Sequence, residues 1–162
     1  MAVRTKRRTV CAGINAAGRT NHEVDVVISL DVGDHMASKL ITLDPDADIL
    51  VAAHTLIRRD ISGAPVVDGD GRLVGILTER DCMQAALQAE YYGTPGGQVK
   101  EFMSVDVESV GPDESILNVA KMFIEGNYNR YPVVENGRLV GQISRRDVMR
   151  ALGKQYPLKA RS

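Results

Sequence analysis

Tryptophan is absent from this chain of 162 residues, and five tyrosines and two phenylalanines are its only aromatic side chains. With so few rings, a core must be built from Val, Ile, Leu, Ala and Met. No stretch approaches the roughly 18–20 consecutive apolar residues of a membrane span, and no apolar run leads into a small-residue cleavage site. No membrane association is expected. Cysteine is nearly missing: Cys11 and Cys82 stand far apart, which argues against a disulfide scaffold and for a reduced, cytoplasmic protein. Also lacking are a glycine-rich P-loop, a Ser-His-Asp order and paired catalytic carboxylates. An enzyme is therefore not expected, nor a catalytic cofactor. His22, His35 and His54 have no metal-ligand spacing. The segment DGDGRLVGILTE places acids as a calcium loop would, but carries Leu73 where that loop needs glycine.

What is present begins with charge. The total is −1, which gives no whole-chain reason to bind nucleic acid. It is unevenly spread, however. In residues 1–30, Arg4, Lys6, Arg7, Arg8 and Arg19 oppose only Glu23 and Asp25, a net +3 that leaves −4 for the rest. RTKRR reads either as a solvated tail or as an arm for nucleic acid or a partner. It is the only segment suited to nucleic acid. EVDVVISL, residues 23–30, has the Val/Ile content of a short strand.

The dominant feature is a duplication. RLVGILTERD at 72–81 returns as RLVGQISRRD at 138–147. Setting Met36 on Met103 aligns residues 34–57 with 101–124 without a gap, so that Pro45 meets Pro112, Leu50 meets Leu117 and Ile57 meets Ile124. GAPVVD then meets RYPVVE, one residue is lost in the turn, and the repeated phrase follows. The boundaries read as a basic tail with a short strand at 1–31, a first repeat at 32–92, a linker at 93–98 containing TPGG, a second repeat at 99–154 and a C-terminal tail at 155–162.

Each copy predicts β-α-β-β-α. A short apolar piece precedes a Pro-Asp helix start. Ile49, Ala52, Ala53, Leu56 and Ile57 recur at helical spacing, as do Ile116, Val119, Ala120, Phe123 and Ile124. Pro-Val-Val, a glycine-bearing turn and LVGILT or LVGQIS form a hairpin, and a second helix closes the copy. A unit so small is marginal alone, so two copies packed sheet to sheet are expected to share one continuous core.

The Met–x₈–Pro-Asp opening, the Pro-Val-Val strand and the G-h-x-[ST]-x-x-D segment (h, apolar), each occurring twice, resemble the CBS domain, the cystathionine-β-synthase-type regulatory repeat. Gly75 to Asp81 fits the last motif fully. Gly141 to Asp147 departs once, with Gln142 at the apolar place. The resemblance covers about residues 32–154 and implies an α+β fold of two repeats around a pseudo-two-fold axis. It also implies a non-catalytic regulatory role, with an adenine nucleotide (AMP, ADP, ATP) or S-adenosylmethionine in clefts between the sheets. Residues carried over to those clefts are Thr78, Asp81, Ser144 and Asp147 for phosphate and ribose. Arg130, Arg145 and Arg146 join them for phosphate, and Ile61, Ala64, Pro65, Tyr131, Pro132 and Ser38 frame the base. A homodimer formed through the helices is implied, with the regulated protein a separate, unknown chain.

The residues themselves leave two readings open. A hydroxyl at a helix start offers a phosphate seat among free N–H groups, and an acid three residues on can accept a vicinal diol. The same T-x-x-D and S-x-x-D spacing is a capping box. The copies also differ. Arg130 and Arg145 stand where the first copy has Gly63 and Glu79, so the second cleft is expected to take a phosphorylated tail. Cys82, one place after Asp81, reads either as a thiolate favoured by the helix start or as an inert buried thiol. A structural adaptor with vestigial clefts is the competing function.

Overall fold

The structure is a computed structural model that describes residues 29–93 and 96–155. The expected strand at 23–30 and both chain ends fall largely or wholly outside those residues. Helix α1 (Ile49–Arg59), strands β1 (Gly63–Val67) and β2 (Leu73–Thr78) and helix α2 (Glu79–Tyr92) form the first copy. A single-turn α3 (Val99–Phe102) precedes α4 (Ile116–Glu125), β3 (Arg130–Glu135), β4 (Arg138–Ser144) and α5 (Arg145–Gln155).

The two long first helices begin later than Pro-Asp suggests. Asp48 caps α1, its side chain accepting from Leu50 N at 2.7 Å, and Ser115 caps α4 by accepting from Leu117 N at 3.3 Å. Pro45 and Asp46 instead belong to a preceding turn in which Asp46 N donates to Asp44 Oδ1. The helices' apolar residues also divide. Ile49, Ala52 and Leu56 are buried, as are Ile116, Val119 and Phe123, whereas Ile57 and Ile124 are 70% and 83% exposed.

β1 and β2 pair antiparallel, Ala64 opposite Leu77, and β3 and β4 repeat the arrangement with Tyr131 opposite Ile143. Each hairpin carries a bulge at the same place, Val66/Val67 and Val133/Val134. Asn136 and Gly137 both take positive φ (51° and 79°), the geometry of a two-residue turn whose twist matches its strands. The expected first strand of each copy reduces to one parallel bridge, Leu43 to Val66 and Val110 to Val133.

The other edge of each sheet is filled from the opposite copy. Ser104 bridges Ile76, and Ala37 bridges Gln142. The surrounding hydrogen bonds repeat in step: Val99 N donates to Ala47 O and Val32 N to Glu114 O, while Lys100 N donates to Pro45 O and Gly33 N to Pro112 O. The pseudo-two-fold relation between the copies is thus written in backbone bonds. In place of one continuous core there are two. Val32, from the start of the first copy, completes the core of Val110, Ile116, Tyr131 and Ile143. Val99, from the start of the second, completes that of Leu43, Leu56, Val66 and Leu77. Each of these valines is fully buried, contributing about 1.5–3 kcal/mol to a core built mainly by the other repeat.

Candidate nucleotide cleft

A concavity tied to the repeated phrase lies at the end of β4. Strand alternation sends Gly141 and Ile143 inward and puts Gln142 and Ser144 on the other face. Arg130 is the ladder partner of Ser144. Ala37 is locked to Gln142 by reciprocal N–H···O bonds of 2.9 Å, so a segment of the first copy forms one wall. Helix α5 begins immediately after Ser144 and supplies Arg146, Asp147 and Arg150. Together with Asn129 and Arg145 these residues line a groove of about 530 Å³, within the usual range for small-ligand sites.

Ser144 and Asp147 form a closed reciprocal cap. Asp147 Oδ2 accepts from Ser144 N at 2.9 Å and Ser144 Oγ at 2.6 Å, and Asp147 N donates to Ser144 Oγ at 3.3 Å. Arg150 Nη1 approaches the other carboxylate oxygen, Oδ1, at 3.5 Å. Thr78 and Asp81 make the same cap at the start of α2, with Thr78 N and Oγ1 donating to Asp81 Oδ2 at 2.8 and 2.7 Å. Both motifs are therefore satisfied as helix caps within the chain. Asp147 Oδ1 faces Arg150 on the groove's cationic side.

Four arginines and one carboxylate line the groove. Among the described residues Arg130 and Arg146 have no carboxylate within salt-bridge reach. Arg145 is already engaged. Its Nη2 donates to Phe123 O at 3.3 Å and its guanidinium lies 5.9 Å from the Phe123 ring centre. Its counterpart Glu79 lines a different depression, the apolar groove between α1 and α2 beside Leu56, Ile57 and Met83.

The structure thus brings together Arg130, Ser144, Arg145, Arg146 and Asp147. Tyr131 and Pro132 are buried behind them; the Tyr131 ring packs on Phe123 and its hydroxyl donates to Met122 O at 3.2 Å. Burial pushes the Tyr131 phenol up, and the Glu108 carboxylate adds to the effect. Ala64 and Pro65 are buried in the first copy, and Ile61 packs against that core. Ser38 is exposed, one residue past Ala37. Thr78, Asp81, Ala64, Pro65 and Ile61 belong to the first copy's hairpin and helix start and do not line this groove. Sequence reasoning missed Arg150, Asn129 and Ala37 and gave Gln142 no role. Arg150 was accessible as the residue one helical turn after Arg146. Ala37 was not, because nothing local signals an exchanged edge.

Cys82 is half-buried, and burial with the Asp81 carboxylate beside it pushes the thiol up. Both effects oppose the helix-start stabilisation of a thiolate and disfavour the ionised form. No helix among the described residues is long and apolar enough to cross a membrane.

Comparison with known proteins gives a consistent answer. An uncharacterised protein of Methanocaldococcus jannaschii is 31% identical over 140 residues, which are 85% of this chain and 49% of that protein. The chain spans about half or less of the length of that protein and of a second Methanocaldococcus jannaschii relative. Among solved structures, CBSX2 of Arabidopsis thaliana in complex with AMP superimposes with a TM-score of 0.69 at 27% identity, covering 78% of this chain and 98% of that one. The CBS domain pair of protein MJ0100, in complex with 5′-methylthioadenosine and S-adenosyl-L-methionine, gives 0.64 at 31% identity, covering 77% and 97%. The sequence profile of the CBS domain matches twice, over residues 32–88 and 99–154. The chain belongs to the CBS domain family, as a tandem pair.

Proposed function

We propose that this chain is a non-catalytic regulatory module that binds an adenosine-containing ligand between its repeats and transmits the bound state to a partner protein. The observation that carries the reading is the groove at Ser144 and Asp147, where a hydroxyl, a carboxylate and four arginines meet at the start of α5. Ribose hydroxyls would donate to Asp147, replacing the two bonds it accepts from Ser144. A phosphate would take the seat vacated at the helix start, where backbone N–H groups and the helix dipole favour an anion. The AMP, 5′-methylthioadenosine and S-adenosylmethionine bound by the related pairs support this ligand class.

Transmission follows from the exchanged edge. Ala37 enters the groove from the first repeat, and the remaining walls come from the second. A ligand touching both favours the relative orientation it binds best, by no more than its differential affinity for the two. We also propose a homodimer. Ile57 and Ile124 are equivalent positions, as are Met83 and Met149, and all four are exposed on helices, a pattern that marks apolar association surfaces.

A panel of AMP, ADP, ATP and S-adenosylmethionine in thermal unfolding tests the reading. A ligand at 100 times its Kd adds about 2.7 kcal/mol of stability, read as a clear rise in Tm. A flat response to all four sinks the ligand reading. The two closed caps would then favour a scaffold in which T-x-x-D and S-x-x-D serve only their helices.

A further inference from the structure

We infer that the two clefts are not interchangeable: the one at Ser144 is built for the phosphate chain of a nucleoside di- or triphosphate, and its counterpart at Thr78 is not. This rests on the ligand reading above and deepens it. Equivalent positions of the two copies share one backbone geometry but differ in charge. Arg130, across the ladder from Ser144, corresponds to Gly63, across from Thr78. Arg150, one turn into α5, corresponds to Gln84, and Gln142 on the groove wall corresponds to Ile76. Arg146 and Arg80 match.

The difference between Arg145 and Glu79, the most conspicuous in the alignment, carries none of this. Arg145 is tied to the Phe123 carbonyl and Glu79 lines the α1/α2 groove. What matters is that cationic reach flanks Ser144 from two directions, Arg130 from the strand and Arg146 with Arg150 from the helix. A monophosphate fills the seat at the helix start and needs little else. Further phosphates extend away from it and require cations to either side, which the second copy has and the first largely lacks. Arg150 is held only loosely by Asp147, at 3.5 Å and with its side chain two-thirds exposed. It can therefore exchange that partner for phosphate, for which a guanidinium is well suited.

Calorimetric titration of the full chain with AMP, ADP, ATP, S-adenosylmethionine and inorganic tripolyphosphate tests the inference. ATP is expected to bind about tenfold or more tightly than AMP, since charge-assisted bonds supply the difference. Arg130→Gln and Arg150→Gln should weaken ATP binding more than AMP binding and so bring that ratio toward one. Arg80→Gln and Gln84→Ala should leave the ratio as it is. All four side chains lie on exposed positions, so retained helicity confirms that the fold is intact. AMP binding as tightly as ATP would overturn the inference while leaving the nucleotide reading in place. So would arginine variants that weaken both ligands equally. Tripolyphosphate binding without any adenosine ligand would reverse the outcome, retaining the anion site and removing the nucleoside. No binding by any of the five removes both.

Discussion

Met36 lies directly over Gly141. A Cβ on that glycine would meet Met36 Cγ at 2.9 Å and the Ala37 carbonyl at 3.0 Å. Met103 covers Gly75 in the same way, with Sδ at 2.5 Å and the Ser104 carbonyl at 2.9 Å from such an atom. The repeated Gly in LVG is therefore the place where the exchanged segment of one copy crosses the strand of the other. Gly141→Ala and Gly75→Ala must push backbone aside as well as a thioether, and each is expected to cost about 1–3 kcal/mol. Urea unfolding of each variant checks this; a loss near zero would mean that the crossing segment yields freely.

The caps give a second expectation. Ser144→Ala and Thr78→Ala each remove one side of a reciprocal cap and are expected to cost about 1 kcal/mol without ligand. The two should match in the unliganded protein because the two geometries match. With ATP present, Ser144→Ala should lose ligand stabilisation and Thr78→Ala should retain most of it. Paired melting curves with and without nucleotide separate the capping role from the binding role.

A third concerns Cys82. Because burial and Asp81 raise its pKa, less thiolate exists near neutrality than for an ordinary cysteine. Its alkylation rate by iodoacetamide, followed against pH, should show a midpoint above that of an unfolded cysteine peptide. Asp81→Asn removes one cause and should move the midpoint down. Linkage has the same sign. The contribution of a raised thiol pKa to stability is whole below the unfolded pKa and is lost as pH rises through the folded one. A midpoint at or below the peptide's would contradict the burial seen here.

The exposed helical residues carry the fourth. Ile57 and Ile124 are themselves largely exposed, so Ile57→Asp and Ile124→Asp should each leave the monomer folded. If those faces join two copies, light scattering should report a dimer for the native chain and a monomer for the double variant. A native chain that runs as a monomer at all concentrations removes the proposal.

Much of the molecule was legible before its coordinates. The hairpins, the helices and their duplication follow from periodicity and turn residues that act locally; Ser144 and Asp147 follow from the repeated motif, and Arg130, Arg145 and Arg146 from the charge around its second copy. Three things were not. Helical spacing at Ile57 and Ile124 is the same whether the residue faces a core or a partner, so burial could not be assigned. The start of α1 was placed at Pro45-Asp46 because three acids, Asp44, Asp46 and Asp48, compete to cap, and only the last has the geometry. The exchanged edges at Ala37 and Ser104 are single bridges, too short to leave an alternating pattern in the chain.

That exchange bears on separability. Cut between the copies, the first would leave Val99 behind and the second would lose Val32, so neither half would carry off a closed interior. Protein engineering that grafts this pair elsewhere must lift both copies as one cassette, from before Val32 to beyond Ala151.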